Sequence, residues 1–357
     1  MATLKYTGHW LLQQRLVYSV LSGRPVRVSD IRVDDEDPGL RDFEVSLLRL
    51  LERMTNGSDV AINETGTAVR FRPGTIEGGA LAHDCATSRG IGYYAAALLA
   101  LAPFAKRPLE ATLRGVTNNE EDVGVDVLRT VTLPLLRRFG VPDEAELKVV
   151  RRGAEPLGGG EVELRCPVVR QLSTVDVTDP GAVKRIRGVA YATRMAPHVA
   201  NRLVDAARGI FNDFLPDVWI YTDHCKGDRS GLSPGYAIAL LAESSTGCVA
   251  SVEATGSAQS VPEDLGRYAA IALLREIERN GCVDSVHEPW ALLLMALGPE
   301  DVSRLRFGPP GEHTIAVLRD LHAFFGVKMQ LRGDPSNGTV MVACRGIGYK
   351  NVAKRAI

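Results

Sequence analysis

Residues 44–74, EVSLLRLLERMTNGSDVAINETGTAVRFRPG, decide the fold, because the pattern they carry comes back twice. Apolar residues at helical spacing lead to Asn56 and Gly57, a pair that stops helices because both tolerate a left-handed backbone. Two short β-type runs follow, one on each side of Thr65 and Gly66.

Residues 125–141, VDVLRTVTLPLLRRFGV, form the second copy of that helix, followed by ELKVVRRG and GEVELRCP. Residues 314–327, TIAVLRDLHAFFGV, form the third, followed by KMQLRG and TVMVACRG. Each copy is preceded by an apolar helix (WLLQQRLVYSVLSG, YYAAALLALAPFAK, PWALLLMALG) and then a strand (RPVRVSDIR, PLEATLRGV, SRLRFG). The expectation is an α/β protein of layered helices and sheets, with a helix–strand–helix–strand–strand unit written three times.

The spacing locates an insertion. The first two copies stand about 80 residues apart and the last two about 190, which leaves roughly 110 extra residues, enough for a small domain. Residues 186–282 have their own alternation: strands at VAYATR, DVWIYTDH, AIALLAES and CVASVEATG, and helices opened by Pro197 and Pro262. The expected organisation is a large domain from residues 1–185 and 283–357, with a smaller α/β domain at 186–282 between its second and third repeats.

Composition narrows the function. A 357-residue chain with 45% hydrophobic residues buries a core without a staple. A net charge of -1 argues against bulk attraction to nucleic acid but leaves room for a local basic patch. Six scattered cysteines without a CxxC pair read as reduced thiols of a cytosolic or nuclear protein. The first ten residues lack a signal-peptide core and no run of 18 apolar residues exists, so no membrane segment is expected.

The most distinctive string is residues 152–162, RGAEPLGGGEV. Gly158, Gly159 and Gly160 leave backbone N–H groups open to a phosphate, with Arg151 and Arg152 beside them; a tight turn between strands explains the same residues. No Lys-Ser/Thr follows, so this is not a Walker loop.

The same string resembles the signature of the RNA 3'-terminal phosphate cyclase family, through Arg152, Gly153, Pro156 and the three glycines. Pro38-Gly39-Leu40, Arg72-Pro73-Gly74 and Gly78-Gly79 match too, and the resemblance runs the whole length. Strings such as LSGRPV, RLLERMTNGS, RGIGYY, YTDHCKG and PEDLGR look like the eukaryotic cyclase-like branch. That branch implies a nuclear, nucleolar ribosome-assembly factor of the small-subunit processome. It implies a need for this factor in early pre-18S cleavages, a large nucleolar GTPase as partner and the U3 snoRNP/pre-rRNA particle as setting, with direct pre-rRNA contact left open.

The chain departs from the family where the reaction should occur. Cyclases follow their first strand with a glycine-rich stretch; here it reads GHWLLQQR, with Trp10, Leu11 and Leu12. Their adenylylated histidine matches a position near Pro310, and His313 stands three residues away. The expectation is a non-cyclising binding factor with no cofactor and no metal. An active cyclase using His313 and an endonuclease using Arg319 and Asp320, with His322 nearby, are the alternatives. Lys184, Arg185 and Arg187 join Arg151 and Arg152 as candidates for gripping phosphates or an acidic partner. His83-Asp84-Cys85 and Asp223-His224-Cys225 lack closed-zinc spacing, and the runs 34–37 and 120–122 read as solvated acidic loops.

Overall fold

A computed structural model describes residues 2–257 and 260–351. The first repeat comprises strand β1 (Leu4–Thr7), helix α1 (Leu12–Ser22), β2 (Val26–Ser29), α2 (Asp42–Met54), the short β3 (Thr55–Asn56), β4 (Asp59–Ile62) and β5 (Val69–Arg72). Helix α2 stops at Met54, before the Asn-Gly pair, because Thr55 is already extended; Gly57 makes the turn after β3. Its first turn is fixed by Glu44, which accepts the Arg41 N–H at 2.8 Å and the Arg32 guanidinium at 2.7 and 2.9 Å.

The second repeat follows the short β6 (Thr75–Ile76): β7 (Gly78–Asp84), α3 (Ile91–Leu101), β8 (Arg107–Gly115), a broken helix, β9 (Glu146–Arg151) and β10 (Gly160–Cys166). The broken helix is α4 (Val125–Val127), a π-turn (Leu128–Thr132) and α5 (Leu133–Arg138). Its sequence periodicity predicts a continuous helix. Pro134 has no N–H to offer the carbonyl one turn back, and the ladder widens into a π-turn just before it.

The third repeat opens with β11 (Asp176–Val177). Between β11 and the rest of that repeat lie β12 (Val183–Thr193), α6 (His198–Phe211), β13 (Val218–Cys225), β14 (Gly235–Ser244), β15 (Val249–Gly256) and α7 (Pro262–Glu278). The repeat then continues with α8 (Glu288–Leu297), β16 (Val302–Phe307), α9 (Glu312–Phe325), β17 (Met329–Gly333) and β18 (Val340–Arg345).

Three sheets share one strand order: β1-β2-β5-β4, β7-β8-β10-β9 and β11-β16-β18-β17. In each, the first strand pairs parallel with the second and the remaining pairings are antiparallel. The unit therefore begins one strand earlier than the sequence pattern indicates. β1 has four residues and β11 two, too short to show a period; β1 pairs with the next strand across α1, whereas β11 waits 128 positions for its partner in β16.

One continuous core serves all three repeats, from Leu16, Leu50 and Phe71 through Leu98, Leu113 and Leu164 to Leu294, Phe307 and Val342. Helices α3 and α8 are buried along nearly their whole length, which explains their unbroken apolar sequences.

The residues between β11 and α8 build a fourth sheet, β13-β12-β14-β15. Helices α6 and α7 cover one face over a second core that includes Ile186, Leu203, Ile238, Leu240 and Leu273. The other face lies against the second repeat, where Ala239 and Leu241 meet Val127 and Val131. Pairing in β12 starts at Val183, so the expected boundary at 185/186 falls inside this strand.

Candidate functional site

The glycine turn is built by close backbone approach. Gly158 and Gly159 have φ of 63° and 76°, which side-chain-bearing residues rarely adopt. A Cβ on Gly159 would stand 2.8 Å from Leu232, and one on Gly158 2.9 Å from the Gly115 carbonyl carbon. The surrounding backbone is stitched to the segment that enters β14. Leu232 N–H donates to Gly158 O at 2.9 Å, Arg152 N–H to Arg229 O at 3.1 Å, and Leu157 N–H to Ser233 Oγ at 3.1 Å. Thr117 N–H donates to Gly153 O at 2.8 Å. Leu232 and the Gly115–Val116 backbone close against Gly159 and Gly158, while Ala154, Glu155 and Pro156 of the same turn line a cavity of about 720 Å³.

Arg152 is 2% exposed. Its guanidinium forms a two-pronged pair with Asp126, reaches Asp223 at 3.2 Å and lies 4.5 Å from the Tyr191 ring centroid. Burial alone would raise the Asp223 carboxyl, but Arg152 and then Arg229 outweigh it and hold the group below the usual carboxylate range. The charge of Arg152 is thus committed to two carboxylates. Arg151 is partly exposed and donates to Asp228 O at 3.0 Å.

Lys184, Arg185 and Arg187 lie at the far end of β12. Arg187 is four residues from Tyr191, roughly 13 Å at about 3.3 Å per residue, so the two basic groups do not form one patch. Arg185 pairs with Glu243 at 2.6 and 2.8 Å, Arg187 pairs with Asp217 at 2.8 and 3.1 Å, and Lys184 is exposed. Beside them, on β13, Trp219 and Tyr221 are 59% and 60% exposed with ring centroids 5.9 Å apart, and Trp219 is the register partner of Arg187. Sequence reading missed this aromatic pair, although the alternation in DVWIYTDH places both on one face.

A second corner joins the two stretches that depart from the cyclase pattern. The chain turns into α1 through Leu11 at φ 60°, leaving Trp10 52% exposed. The Trp10 ring meets the His313 ring edge to face at 6.5 Å. His313 sits in the first turn of α9, after Gly311, and is exposed.

Arg319, Asp320 and His322 diverge. Asp320 is buried and accepts Arg15 Nε at 2.9 Å, while Arg15 stacks 4.0 Å above Tyr6. Arg319 is exposed, and His322 Nδ1 lies 3.0 Å from Val327 O at the end of the helix.

The metal-capable strings have other engagements. His83 Nε2 lies 2.9 Å from Ser46 Oγ and His224 Nε2 2.9 Å from Met195 O. Among the described residues no group of three or more His, Cys, Asp or Glu side chains is placed to hold a metal ion. Nor is Asp122 part of a solvated loop: it accepts Gly90 N–H at 2.9 Å and Arg89 Nε at 2.8 Å, holding the start of α3.

Sequence reading also missed a fully buried chain between repeats and insert. Thr132 Oγ1 is 2.8 Å from His287 Nε2, His287 Nδ1 is 2.6 Å from Asp284 Oδ1, and Ser251 donates to Asp284 Oδ2 at 2.6 Å. Burial alone raises the Asp284 carboxyl; His287 and Ser251 outweigh it and hold the group below its ordinary range. The order of groups matches a hydrolase triad. Thr132 is wholly buried, so the chain joins the π-turn, β15 and the start of α8 rather than presenting a nucleophile. The i, i+3 spacing of Asp284 and His287 was the available signal; Thr132 lies too far away in sequence to complete it.

Comparison with known proteins agrees with this architecture. The family model for RNA 3'-terminal phosphate cyclase matches residues 4–331. The chain belongs to the RNA 3'-terminal phosphate cyclase family. It is 50% identical to the RNA 3'-terminal phosphate cyclase-like protein of Homo sapiens, over 99% of this chain and 98% of that protein. It is 47% identical to the rRNA processing protein rcl1 of Schizosaccharomyces pombe, over 98% of each. A probable cyclase-like protein of Arabidopsis thaliana is 44% identical, again over 98% of each.

Proposed function

We propose that this protein acts in rRNA processing as a non-cyclising member of its family, binding rather than transforming its partners. The observation that carries the reading is the Trp10–His313 corner. An indole occupies the stretch where cyclases place glycines, and the nearby histidine packs against it. A phosphate cradle needs bare backbone N–H groups, and a half-exposed indole is a poor substitute. The relative named for rRNA processing supports the cellular role.

On this reading the protein works in the nucleolus within the small-subunit processome and the U3 snoRNP/pre-rRNA particle, is needed for early pre-18S cleavages, and meets a large nucleolar GTPase. The divergence of Arg319, Asp320 and His322 favours binding over RNA cleavage, since acid, base and cation must converge on one 2'-OH. Incubation with labelled ATP is expected to give no covalent adenylate. An adenylate that disappears in His313→Ala would overturn the reading in favour of an active cyclase.

Direct RNA contact is assigned to the exposed face of β13 and the start of β12. Trp219 and Tyr221 offer stacking surfaces for unpaired bases, and Arg187, the register partner of Trp219, meets a phosphate by exchanging its pair with Asp217. Trp219→Ala with Tyr221→Ala is expected to weaken binding of a single-stranded pre-rRNA fragment about tenfold or more, at roughly 1–3 kcal/mol per lost stack. Unchanged affinity in a filter-binding titration would remove this face.

A further inference from the structure

Two of the six cysteines stand side by side. Val249, the first residue of β15, forms a parallel bridge with Val283 in the segment between α7 and α8. Cys248 and Cys282 precede these bridge partners by one residue each, in matching register. Neighbouring strands lie about 4.8 Å apart, within the roughly 4.4–6.8 Å Cα separation that a disulfide spans.

The thiols also influence one another. Cys282 is the main group holding the Cys248 thiol down to about 6, against the opposing effect of burial, with Thr246 and Arg138 adding to the lowering. Cys282 is pushed up, first by Cys248 and then by burial. Thr246 Oγ1 donates to the Cys248 sulfur at 3.5 Å, and Cys248 Sγ in turn donates to Asp179 O at 3.7 Å; whichever thiol of the pair gives up its proton supplies the form that reacts with oxidants. Cys85, Cys166, Cys225 and Cys344 differ: burial pushes each of them up.

A cavity of about 60 Å³ is lined by Cys282 and by Gly247 and Val249, the residues on either side of Cys248, together with Arg138 and His287. A water molecule claims about 30 Å³ of liquid volume, so a molecule the size of hydrogen peroxide fits. Both cysteines are buried, at 5% and 3% exposure, which excludes a bulky thiol-disulfide oxidant.

We propose that Cys248 and Cys282 form an oxidation site for small neutral hydroperoxides, closing reversibly to a disulfide that ties the β14–β15 hairpin to the chain entering α8. One of the two sulfurs attacks one peroxide oxygen and the O–O bond breaks. That sulfur is oxidised to a sulfenic acid, and the departing hydroxide takes up the proton that its thiol released. The second sulfur then attacks the sulfenic sulfur, the S–O bond breaks, and the hydroxyl leaves with the second thiol's proton as water. Two thiols and one hydrogen peroxide give one disulfide and two waters.

The test uses the full chain treated with hydrogen peroxide, then unfolded, alkylated and weighed. Expected are a mass lower by two hydrogen atoms, four alkylatable thiols of the original six, and a single linked peptide pair joining Cys248 to Cys282. A dithiol reductant restores all six. In Cys248→Ser and Cys282→Ser, each shown by its melting curve to be folded, a 1,3-diketone probe is expected to trap a sulfenic acid at the remaining cysteine of the pair in at least one of the two. Six free thiols after peroxide, or oxidation elsewhere with Cys248 and Cys282 still reduced, would overturn the proposal.

Discussion

The glycine turn at Gly158 and the corner at Trp10 both carry the chain's relationship to the cyclases, and they carry it in opposite ways. At the turn the family signature is present, and its arginine and glycines are packed against neighbouring chain while Pro156 stays exposed. Gly159 makes room for Leu232, and Arg152 is neutralised by Asp126 and Asp223. At the corner the family pattern is gone, and the replacements face solvent: Trp10 and His313 are exposed beside one another. The difference teaches that a glycine-and-arginine signature is not by itself a sign of phosphate chemistry. Here it joins the second repeat to the inserted sheet, a task that remains whether or not a reaction does.

The sharpest way to break this comparison is to remove one basic side chain from each region. Arg152→Ala leaves Asp126 buried without its main partner, an expected loss of about 3–5 kcal/mol in chemical denaturation. His313→Ala removes an exposed ring and is expected to cost no more than about 0.5 kcal/mol. Similar losses in the two variants would mean that the turn is not the weld described.

Next in size is a pH effect near the turn. Glu253 on β15 accepts the Gly124 N–H just ahead of α4, and burial pushes its carboxyl up to about 8, with Asp126 adding to the rise. A carboxyl raised in the folded state binds more protons folded than unfolded across the interval between its two values. The contribution of Glu253 to stability is therefore greatest below the ordinary value near 4.5 and declines as pH rises towards 8. Glu253→Gln is expected to flatten that decline and stabilise the protein at pH 8 by on the order of 2 kcal/mol, read from urea midpoints against pH. An unchanged slope would place the pH dependence elsewhere.

The smallest effect compares glycine with glycine. Gly159→Ala meets both a positive φ and Leu232, whereas Gly8→Ala, at the head of the altered stretch, has φ 73° but open space around it. The first is expected to cost about 1–3 kcal/mol and the second about 1 kcal/mol, measured as differences in denaturation midpoint. Equal costs would mean that Leu232 yields freely.

Much of the fold was legible because its signals are local. Apolar spacing in residues 44–54 and 314–325 and left-handed stops at Gly23 and Gly326 depend on neighbours a turn away. The first strands of the outer two units were not legible, since LKYT and the Asp176-Val177 pair are too short to show a period and take their meaning from β2 and β16. The site was harder for the same reason. Arg152 looked like a free cation beside bare amides, and its two carboxylates lie 26 and 71 positions away. The departures at Trp10 and His313 were visible one by one; their contact was not, because it joins the first repeat to the third.

The position of β11 has a consequence for the order of events during synthesis. β1 finds its partner soon, with Leu4 opposite Val26, but Asp176 pairs with Arg304, 128 positions later. At roughly 5–20 residues per second, β11 waits about 6–25 s for that partner, while the entire fourth sheet is completed ahead of it. An unpaired strand edge held open for so long invites pairing with the wrong neighbour. The two residues of β11, against four in β1 and seven in β7, leave little edge to mispair during the delay.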